Sequence, residues 1–174
     1  SVATALVEPM YLPLPATDAG SFAREALPAA LDFAKDKDAV VLGPGCSRHN
    51  QTRAFTVEFV RRCPIPLLID ADGLNNLGEH TGALLDSAGC TRILTPHPGE
   101  MARLTGLPVK DIQANREGVA AHFAANHGCV VVLKGCRTII AEPNGGIYVN
   151  PTGNDGMASP GYYRRCGATG WIRA

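Results

Sequence analysis

The sequence lacks the features that would place the protein at a membrane or on a nucleic acid. No apolar stretch approaches the ~20 residues that a membrane span requires, and the first residues show no basic region followed by an apolar core. Lysine plus arginine (16) equals aspartate plus glutamate (16), and no run of basic residues occurs. We therefore expect a cytoplasmic protein that has neither a nucleic-acid nor a membrane partner.

The sequence also lacks a cysteine pattern. No CxxC spacing is found, and a zinc site would need clustered ligands. The scattered thiols favour buried or incidental cysteines in a reducing compartment over a disulfide framework. The six are Cys46, Cys63, Cys90, Cys129, Cys136 and Cys166.

The chain has the length of a single domain. Its 174 residues can bury a hydrophobic core, and 45% hydrophobic with 18% charged residues is typical of a soluble globular protein. We find no repeat, linker or low-complexity tract, so nothing in the sequence indicates a second domain.

Short apolar runs alternate with amphipathic segments, which predicts strands alternating with helices. The predicted strands are residues 39–42, buried on both faces, then 66–69, 92–95 and 129–133. The predicted helices are residues 21–35, 51–62 and 111–126, with a short one through Met101 and Leu104. Pro143-Asn144-Gly145 then separates two further strands, residues 138–141 and 146–149, as a hairpin turn.

This alternation predicts right-handed crossovers and a largely parallel sheet, in which ligands bind beyond the carboxyl ends of the strands. Each conspicuous polar or glycine-rich motif follows a predicted strand, so we expect five loops to meet at one rim. The loops are Gly43-Pro44-Gly45, Asp70-Ala71-Asp72, residues 97–100, Lys134-Gly135 and residues 150–161.

The first two motifs allow more than one interpretation. Gly43-Pro44-Gly45 by itself favours a tight turn, since it matches neither a P-loop nor a GxGxxG fingerprint. If the motif is functional, it presents backbone to a ligand. In an extended chain Asp70 and Asp72 point the same way, and two such carboxylates could serve Mg²⁺, a ribose or a hydrogen-bonded ring. Either aspartate could equally cap the helix that follows.

The later motifs favour ligand contacts. A histidine bracketed by prolines on a loop indicates a ligand contact at His97 rather than a core role, whereas Glu100 is explained by the favourable position of a negative charge at a helix N-terminus. Lys134 ends an apolar strand beside a glycine, which favours an anion partner over a surface lysine. The glycine-rich composition of residues 150–161 would let a phosphate approach bare backbone.

Taken together and in this order, these motifs resemble one family closely, the ADP/ATP-dependent NAD(P)H-hydrate dehydratases. The resemblance covers about Pro9 to Gly161, and the combination of TPHPGE at residues 95–100 with NPTGN at residues 150–154 is specific. It implies an α/β, incomplete ribokinase-like three-layer fold with a mostly parallel central sheet and a C-terminal hairpin. On this basis residues 1–161 form a partial domain and residues 162–174 a divergent tail.

The resemblance also implies a function, the repair of hydrated nicotinamide cofactors. The family uses ADP or ATP with Mg²⁺ to return NADHX or NADPHX to NADH or NADPH, by phosphorylation of the hydrate hydroxyl followed by elimination of phosphate. The resemblance also implies that the chain forms a homo-oligomer and that its binding partners are small-molecule nucleotides. A non-catalytic nucleotide-binding fragment and a ribokinase-like vitamin-precursor kinase are the alternatives.

Site residues follow from the resemblance position by position. Gly45 and His97 correspond to contacts with the hydrate, and Asp72 is their neighbour. The nucleotide-binding residues correspond to Lys134, Gly135, Cys136, Arg137, Thr138, Asn154, Gly156, Met157 and Ala158. No metal ligand is assigned.

The chain departs from the family after Ala158. In the family a Gly-Ser-Gly-Asp motif follows, whose helix N-terminus forms an anion hole and whose aspartate is the catalytic base. By counting, Arg164 stands at that aspartate, and residues 162–174 contain no acidic residue. We therefore expect an inactive chain of marginal solubility, and we hypothesise that the reading frame changes near Gly161.

Overall fold

Six short strands form one mixed sheet in the computed structural model, which describes residues 11–86 and 89–151. The strands lie side by side in chain order. β1 to β4 are parallel, β5 is antiparallel to β4, and β6 is antiparallel to β5. They are β1 (Val40–Leu42), β2 (Leu67–Ile69), β3 (Arg92–Leu94), β4 (Val130–Leu133), β5 (Ile139–Ala141) and β6 (Ile147–Val149). This arrangement confirms the predicted mostly parallel sheet with a hairpin after it.

Seven α-helices and a 3₁₀ turn (Arg24–Ala26) accompany the strands in the described part of the chain. They are α1 (Leu27–Ala34), α2 (Asn50–Arg62), α3 (Asp72–Leu77), α4 (Gly82–Leu85), α5 (Pro98–Thr105), α6 (Val109–Ala114) and α7 (Arg116–His127). None of these helices has the length and hydropathy of a membrane span.

Two predicted helices differ from the observed ones. The predicted helix at 21–35 begins later, because Ser21 closes a turn with Thr17 through backbone and hydroxyl hydrogen bonds. The predicted helix at 111–126 is two helices, since Asn115 leaves the helical region (φ −142°, ψ 60°) and its Oδ1 accepts a hydrogen bond from Gly118 N. Asparagine competes with the helical backbone in this way and caps α7 instead.

One face of the sheet and the buried faces of the helices form a single hydrophobic core. Right-handed crossovers between consecutive parallel strands place the connecting helices on the same side of a sheet. The strand residues that face this core are Leu42, Leu67, Ile69, Leu94, Val131, Leu133, Ile139 and Ala141. The described residues therefore supply a sheet and one helical layer.

The opposite face of the sheet is apolar and does not join this core. We call it the outer face and define it as Val41, Leu68, Ile93, Val130, Val132, Ile140 and Tyr148. These residues alternate with the core residues, and neighbouring strands pair them as Val41–Leu68–Ile93–Val130 and Val132–Ile140–Tyr148. Val41 is 37% exposed and Tyr148 58% exposed. The prediction that the first strand is buried on both faces is therefore wrong, because β1 lies at the edge of the sheet and no described helix covers its outer face.

The cysteines in the described residues are all free. Burial raises the pKa of the Cys129 thiol to about 12 and also raises the pKa of Cys63 and Cys46, so these thiols stay protonated. No group of three or more His, Cys, Asp or Glu side chains is placed to hold a metal ion among the residues that the structure describes.

The outer face generates a prediction about solubility. Replacing both Ile140 and Tyr148 with threonine keeps the preference for strand structure while removing exposed apolar area. We expect less aggregation in light scattering at unchanged far-UV circular dichroism. The matched control is Ile139→Thr, which lies on the core face at 3% exposure and should lower the free energy of unfolding by at least ~1 kcal/mol. Unchanged aggregation of the double variant would contradict the prediction.

Candidate active site at the carboxyl rim of the sheet

Lys134, directly after β4, forms an ion-pair cluster with two carboxylates from neighbouring loops. Its Nζ lies 2.7 Å from Asp70 Oδ1, after β2, and 3.7 Å from Glu100 Oε2, after β3. The side chains of Lys134 and Asp70 are 28% and 30% exposed, and that of Glu100 only 6%. Two carboxylates against one ammonium leave an excess of negative charge at this point of the rim. We refer to these three residues as the rim cluster.

Backbone hydrogen bonds keep the rim ordered beyond the strand ends. Lys134 N donates to Pro96 O at 2.8 Å, and Thr95 N donates to Ile69 O at 3.1 Å. The ladders of β2, β3 and β4 thus continue into the loops that carry the rim cluster. This continuation brings Asp70 and Lys134, 64 positions apart in the chain, into contact.

The two aspartates after β2 point to different partners. Asp70 contacts Lys134, whereas Asp72 Oδ2 accepts a hydrogen bond from Ser47 N at 3.1 Å. Between them Ala71 has φ 48° and ψ −118°, a strained conformation for a residue with a Cβ. The expectation that both carboxylates point the same way is therefore wrong, because the backbone turns at Ala71. Neither side chain caps α3 by a hydrogen bond.

The loop after β1 packs against the loop after β2. A Cβ on Gly43, whose φ is 131°, would lie 1.8 Å from Asp70 O, so only glycine fits there. Asn76 Nδ2 donates to Ser47 O at 2.8 Å and fixes the far end of the same loop. Gly45, the predicted hydrate contact, lies between these anchors at the exposed part of the rim, with open space where a Cβ would be.

His97 is the N-cap of α5. Its Nδ1 accepts hydrogen bonds from Gly99 N (2.9 Å) and Glu100 N (3.3 Å), while Glu100 Oε2 accepts one from His97 N (2.8 Å). This reciprocal arrangement is a capping box. Because Nδ1 is an acceptor, the neutral ring carries its proton on Nε2. The side chain is 52% exposed, so it is not a core histidine. Its Nε2 lies 3.5 Å from Glu100 Oε1 and is the ring nitrogen that takes no part in the helix cap, so it is the one that a ligand could reach.

The loop after β4 is held by Arg116, the first residue of α7. The guanidinium donates to Cys136 O (2.5 Å) and Arg137 O (3.4 Å) through one nitrogen, and to Leu133 O (3.1 Å) and Lys134 O (3.3 Å) through the other. Sequence reasoning missed this residue, because Arg116 has only the polar character of the solvent face of a helix.

The hairpin brings the last predicted loop to the same rim. Asn150 N donates to Thr138 O at 2.8 Å, so the chain leaves β6 beside the loop after β4. Four predicted loops therefore meet at one rim, and the fifth starts there.

A cavity of about 510 Å³ lies elsewhere, between α5 and α7. Its lining includes Leu104, Leu107, His122 and Phe123, and none of the predicted site residues. We place the candidate site at the rim rather than in this cavity, because the convergent charges and free backbone groups are found at the rim.

Comparison with known proteins identifies the family. The sequence model of the NAD(P)H-hydrate dehydratase family matches residues 4–162. The chain belongs to the NAD(P)H-hydrate dehydratase family. This is an enzyme family, and the resemblance drawn from the motifs is confirmed.

Relatives of known name support the assignment. The bifunctional NAD(P)H-hydrate repair enzyme Nnr of Moorella thermoacetica is 44% identical over 154 residues, 88% of this chain and 29% of the relative. A crystal structure of the ADP/ATP-dependent NAD(P)H-hydrate dehydratase from Bacillus subtilis, co-crystallized with ATP/Mg²⁺ and soaked with CoA, matches with a TM-score of 0.59 at 34% identity. That match covers 80% of this chain and 50% of the other. The chain thus spans half or less of the length of these relatives.

The fold is ribokinase-like, as predicted. A ribokinase-like superfamily protein from Enterococcus faecalis matches with a TM-score of 0.60 over 79% of this chain and 47% of the other. At 24% identity this likeness concerns the fold alone. It agrees with the mixed six-stranded sheet and its helical layer in the described residues.

Some residues assigned from the dehydratase family lie outside the described part of the chain. They are Asn154, Gly156, Met157, Ala158 and Arg164, together with the whole of residues 162–174. Lys134 to Thr138, Gly45, Asp72 and His97 lie at the rim, and their roles in binding remain predictions.

Glu100 has a larger part in this dehydratase-family site than sequence reasoning gave it. The prediction treated it as a favourable charge at a helix N-terminus, but it is buried, closes the capping box and faces Lys134. A signal was available: a Glu three residues after the N-cap, with proline at the first helical position, is the signature of a capping box.

The two roles of His97, as the N-cap of α5 and as the predicted ligand contact, can be separated by mutation. His97→Ala removes the cap acceptor and should lower the free energy of unfolding by about 1 kcal/mol, whereas His97→Asn keeps an acceptor and should stay within a few tenths of a kcal/mol. Both variants lose Nε2, so both should bind the hydrated cofactor more weakly. Urea unfolding and equilibrium titration measure the two effects. Unchanged stability of His97→Ala would contradict the capping role, and unchanged affinity of both variants would contradict the ligand contact.

Proposed function

We propose that this chain is an NAD(P)H-hydrate repair protein that binds an adenine nucleotide and NADHX or NADPHX at the carboxyl rim. ADP or ATP, with Mg²⁺, is the nucleotide in this proposal. The family membership supports it, as do the names of the relatives, which are ADP-dependent or ADP/ATP-dependent dehydratases.

The single observation that carries the proposal is the convergence of the motif residues. Lys134 forms ion pairs with both Asp70 and Glu100. His97 lies on the same loop as Glu100, and Gly45 lies on the loop after β1, the strand next to β2. A ligand at this rim would meet a positively charged side chain, carboxylates and exposed backbone together. That combination suits a nucleotide and a second polar substrate.

Magnesium is compatible with the side chains at the rim. Mg²⁺ prefers oxygen ligands, and in phosphoryl-transfer sites it is held through one or two carboxylates and the substrate phosphates. Asp70, whose side chain is 30% exposed, could supply one such carboxylate, whereas Glu100 is only 6% exposed and its Oε2 already accepts a hydrogen bond from His97 N. When bound, the ion would help to neutralise the charge of the nucleotide phosphates.

The remaining residues of the candidate site would bind and orient the nucleotide and the hydrate. The loop of residues 134–138 would take the nucleotide, with Lys134 facing its anionic groups. Gly45 would present bare backbone to the hydrate, and His97 would donate a hydrogen bond from Nε2 while its Nδ1 stays in the helix cap. Asp72 would act through Ser47, which it holds in the loop after β1.

We further propose that this polypeptide binds but does not turn over efficiently. By counting along the motif, we expect Arg164 to stand where the family has its catalytic aspartate, and the loss of a general base costs about 10²–10⁴-fold in rate. A cytoplasmic location, small-molecule partners and a homo-oligomer complete the proposal. The balanced charge of the sequence favours small-molecule partners over a nucleic acid.

Titration calorimetry with Mg·ATP and Mg·ADP, combined with an assay for the return of NADH from NADHX, tests the proposal. We expect saturable nucleotide binding and turnover about 10²–10⁴-fold below that of a relative that has the aspartate. Lys134→Met should weaken nucleotide binding. The exposed Arg53→Met is the control and should leave binding unchanged.

The outcomes discriminate among the candidate functions. No binding of either nucleotide would refute the proposal, and turnover equal to that of a relative would refute the loss of the base. Phosphorylation of a hydroxymethylpyrimidine or a thiazole alcohol would instead identify a vitamin-precursor kinase.

A further inference from the structure

The carbonyl groups of the loop after β4 point inward to one side chain. The Arg116 guanidinium donates hydrogen bonds to four carbonyls, those of Leu133, Lys134, Cys136 and Arg137. A planar guanidinium with donors in a fixed fork suits several acceptors at once, which a lysine ammonium on a flexible stem does not. Arg116 therefore imposes one conformation on a loop that has no regular secondary structure.

Two further features show that the loop is built around this side chain. Gly135 has φ 145°, and a Cβ there would lie 2.9 Å from Arg116 Nη2. Arg137 has φ 53°, in the left-handed region that residues with a Cβ rarely adopt. Both deviations allow successive carbonyls to face the guanidinium.

The inward carbonyls fix the direction of the amide groups. In a trans peptide the N–H of one residue points opposite to the C=O of the residue before it, and no cis peptide occurs in the described residues. The C=O groups of Lys134 and Cys136 face Arg116, so the N–H groups of Gly135 and Arg137 point away from it. Neither N–H has a hydrogen-bond acceptor within residues 11–86 and 89–151.

We propose that Arg116 is a positioning residue of the nucleotide site, which holds the loop of residues 134–138 so that the N–H groups of Gly135 and Arg137 bind anionic oxygens of the nucleotide. Outward N–H groups of one loop can together form a concave anion site without any charged side chain. Arg116 itself does not touch the nucleotide, since its Nη groups are taken up by the loop. This inference rests on the proposed function, because it assumes that residues 134–138 bind the nucleotide.

Nucleotide affinity and loop conformation test the inference separately. In Arg116→Ala we expect the Kd for Mg·ATP to rise at least ~10-fold. Arg116→Lys keeps the charge without the fork and should show a similar loss. Methylguanidinium, which has the same planar donors, should restore part of the affinity of Arg116→Ala. Arg103→Ala is the matched control, because Arg103 is exposed and bonds only Asn75 Oδ1 in the described residues; its Kd should not change.

Amide NMR measures the chemical shifts of individual N–H groups of the loop, which a general loss of stability would not change. The Gly135 and Arg137 N–H resonances should shift on Mg·ATP addition to the unaltered chain. They should be displaced in Arg116→Ala and return when methylguanidinium is added. A Kd for Arg116→Lys equal to that of the unaltered chain would overturn the inference, as would amide resonances in Arg116→Ala that match the unaltered chain.

The two proposals fail in different ways. If the unaltered chain does not bind Mg·ATP, the proposed function and the binding part of this inference are both overturned. Return of the Gly135 and Arg137 resonances with methylguanidinium would still support the loop-holding role of Arg116, and failure to return would overturn that role. If Arg116→Ala does not fold, Gly135→Ala perturbs the same contact from the other side and should weaken binding equally.

Discussion

The ion pair between Lys134 and Asp70 is the interaction on which the rest of the rim depends. It joins the ends of β2 and β4 across β3, and Glu100 from the intervening loop closes the cluster. Partial burial makes these charges interact more strongly than surface pairs. Removing one member would leave the others poorly compensated, so the cluster constrains three loops to one arrangement.

Several local conformations follow from this constraint. Asp70 must turn toward β4 while Asp72 holds Ser47 near β1, and the strained backbone at Ala71 permits both. Glu100 contributes to the cluster and to the cap of α5, so the orientation of His97 is coupled to Lys134. A nucleotide that bound Lys134 would compete with Asp70 for the ammonium group. It would thereby change the contacts that hold the other loops of the rim.

Much of this architecture was predictable from the sequence, for physical reasons. Apolar runs bounded by glycine and proline identify buried strands, and their alternation with helices sets a parallel sheet and a ligand rim. The side-chain partners were not predictable. Arg116 and the loop after β4 meet only through the tertiary fold. The divergence of Asp70 and Asp72 depends on one backbone turn. The helix breaks at Asn115 because its side chain caps the next helix instead. The exposed outer face of β1 depends on which helices cover the sheet.

The most direct test of the central constraint is a double-mutant cycle between Asp70→Asn and Lys134→Met, with the free energy of unfolding as the measured quantity. If the pair holds the rim together, the two changes should be non-additive, with a coupling energy of about 1 kcal/mol or more. Additive effects, within about 0.3 kcal/mol, would show that the two side chains do not stabilise each other. That result would contradict the dependence of the rim on this ion pair.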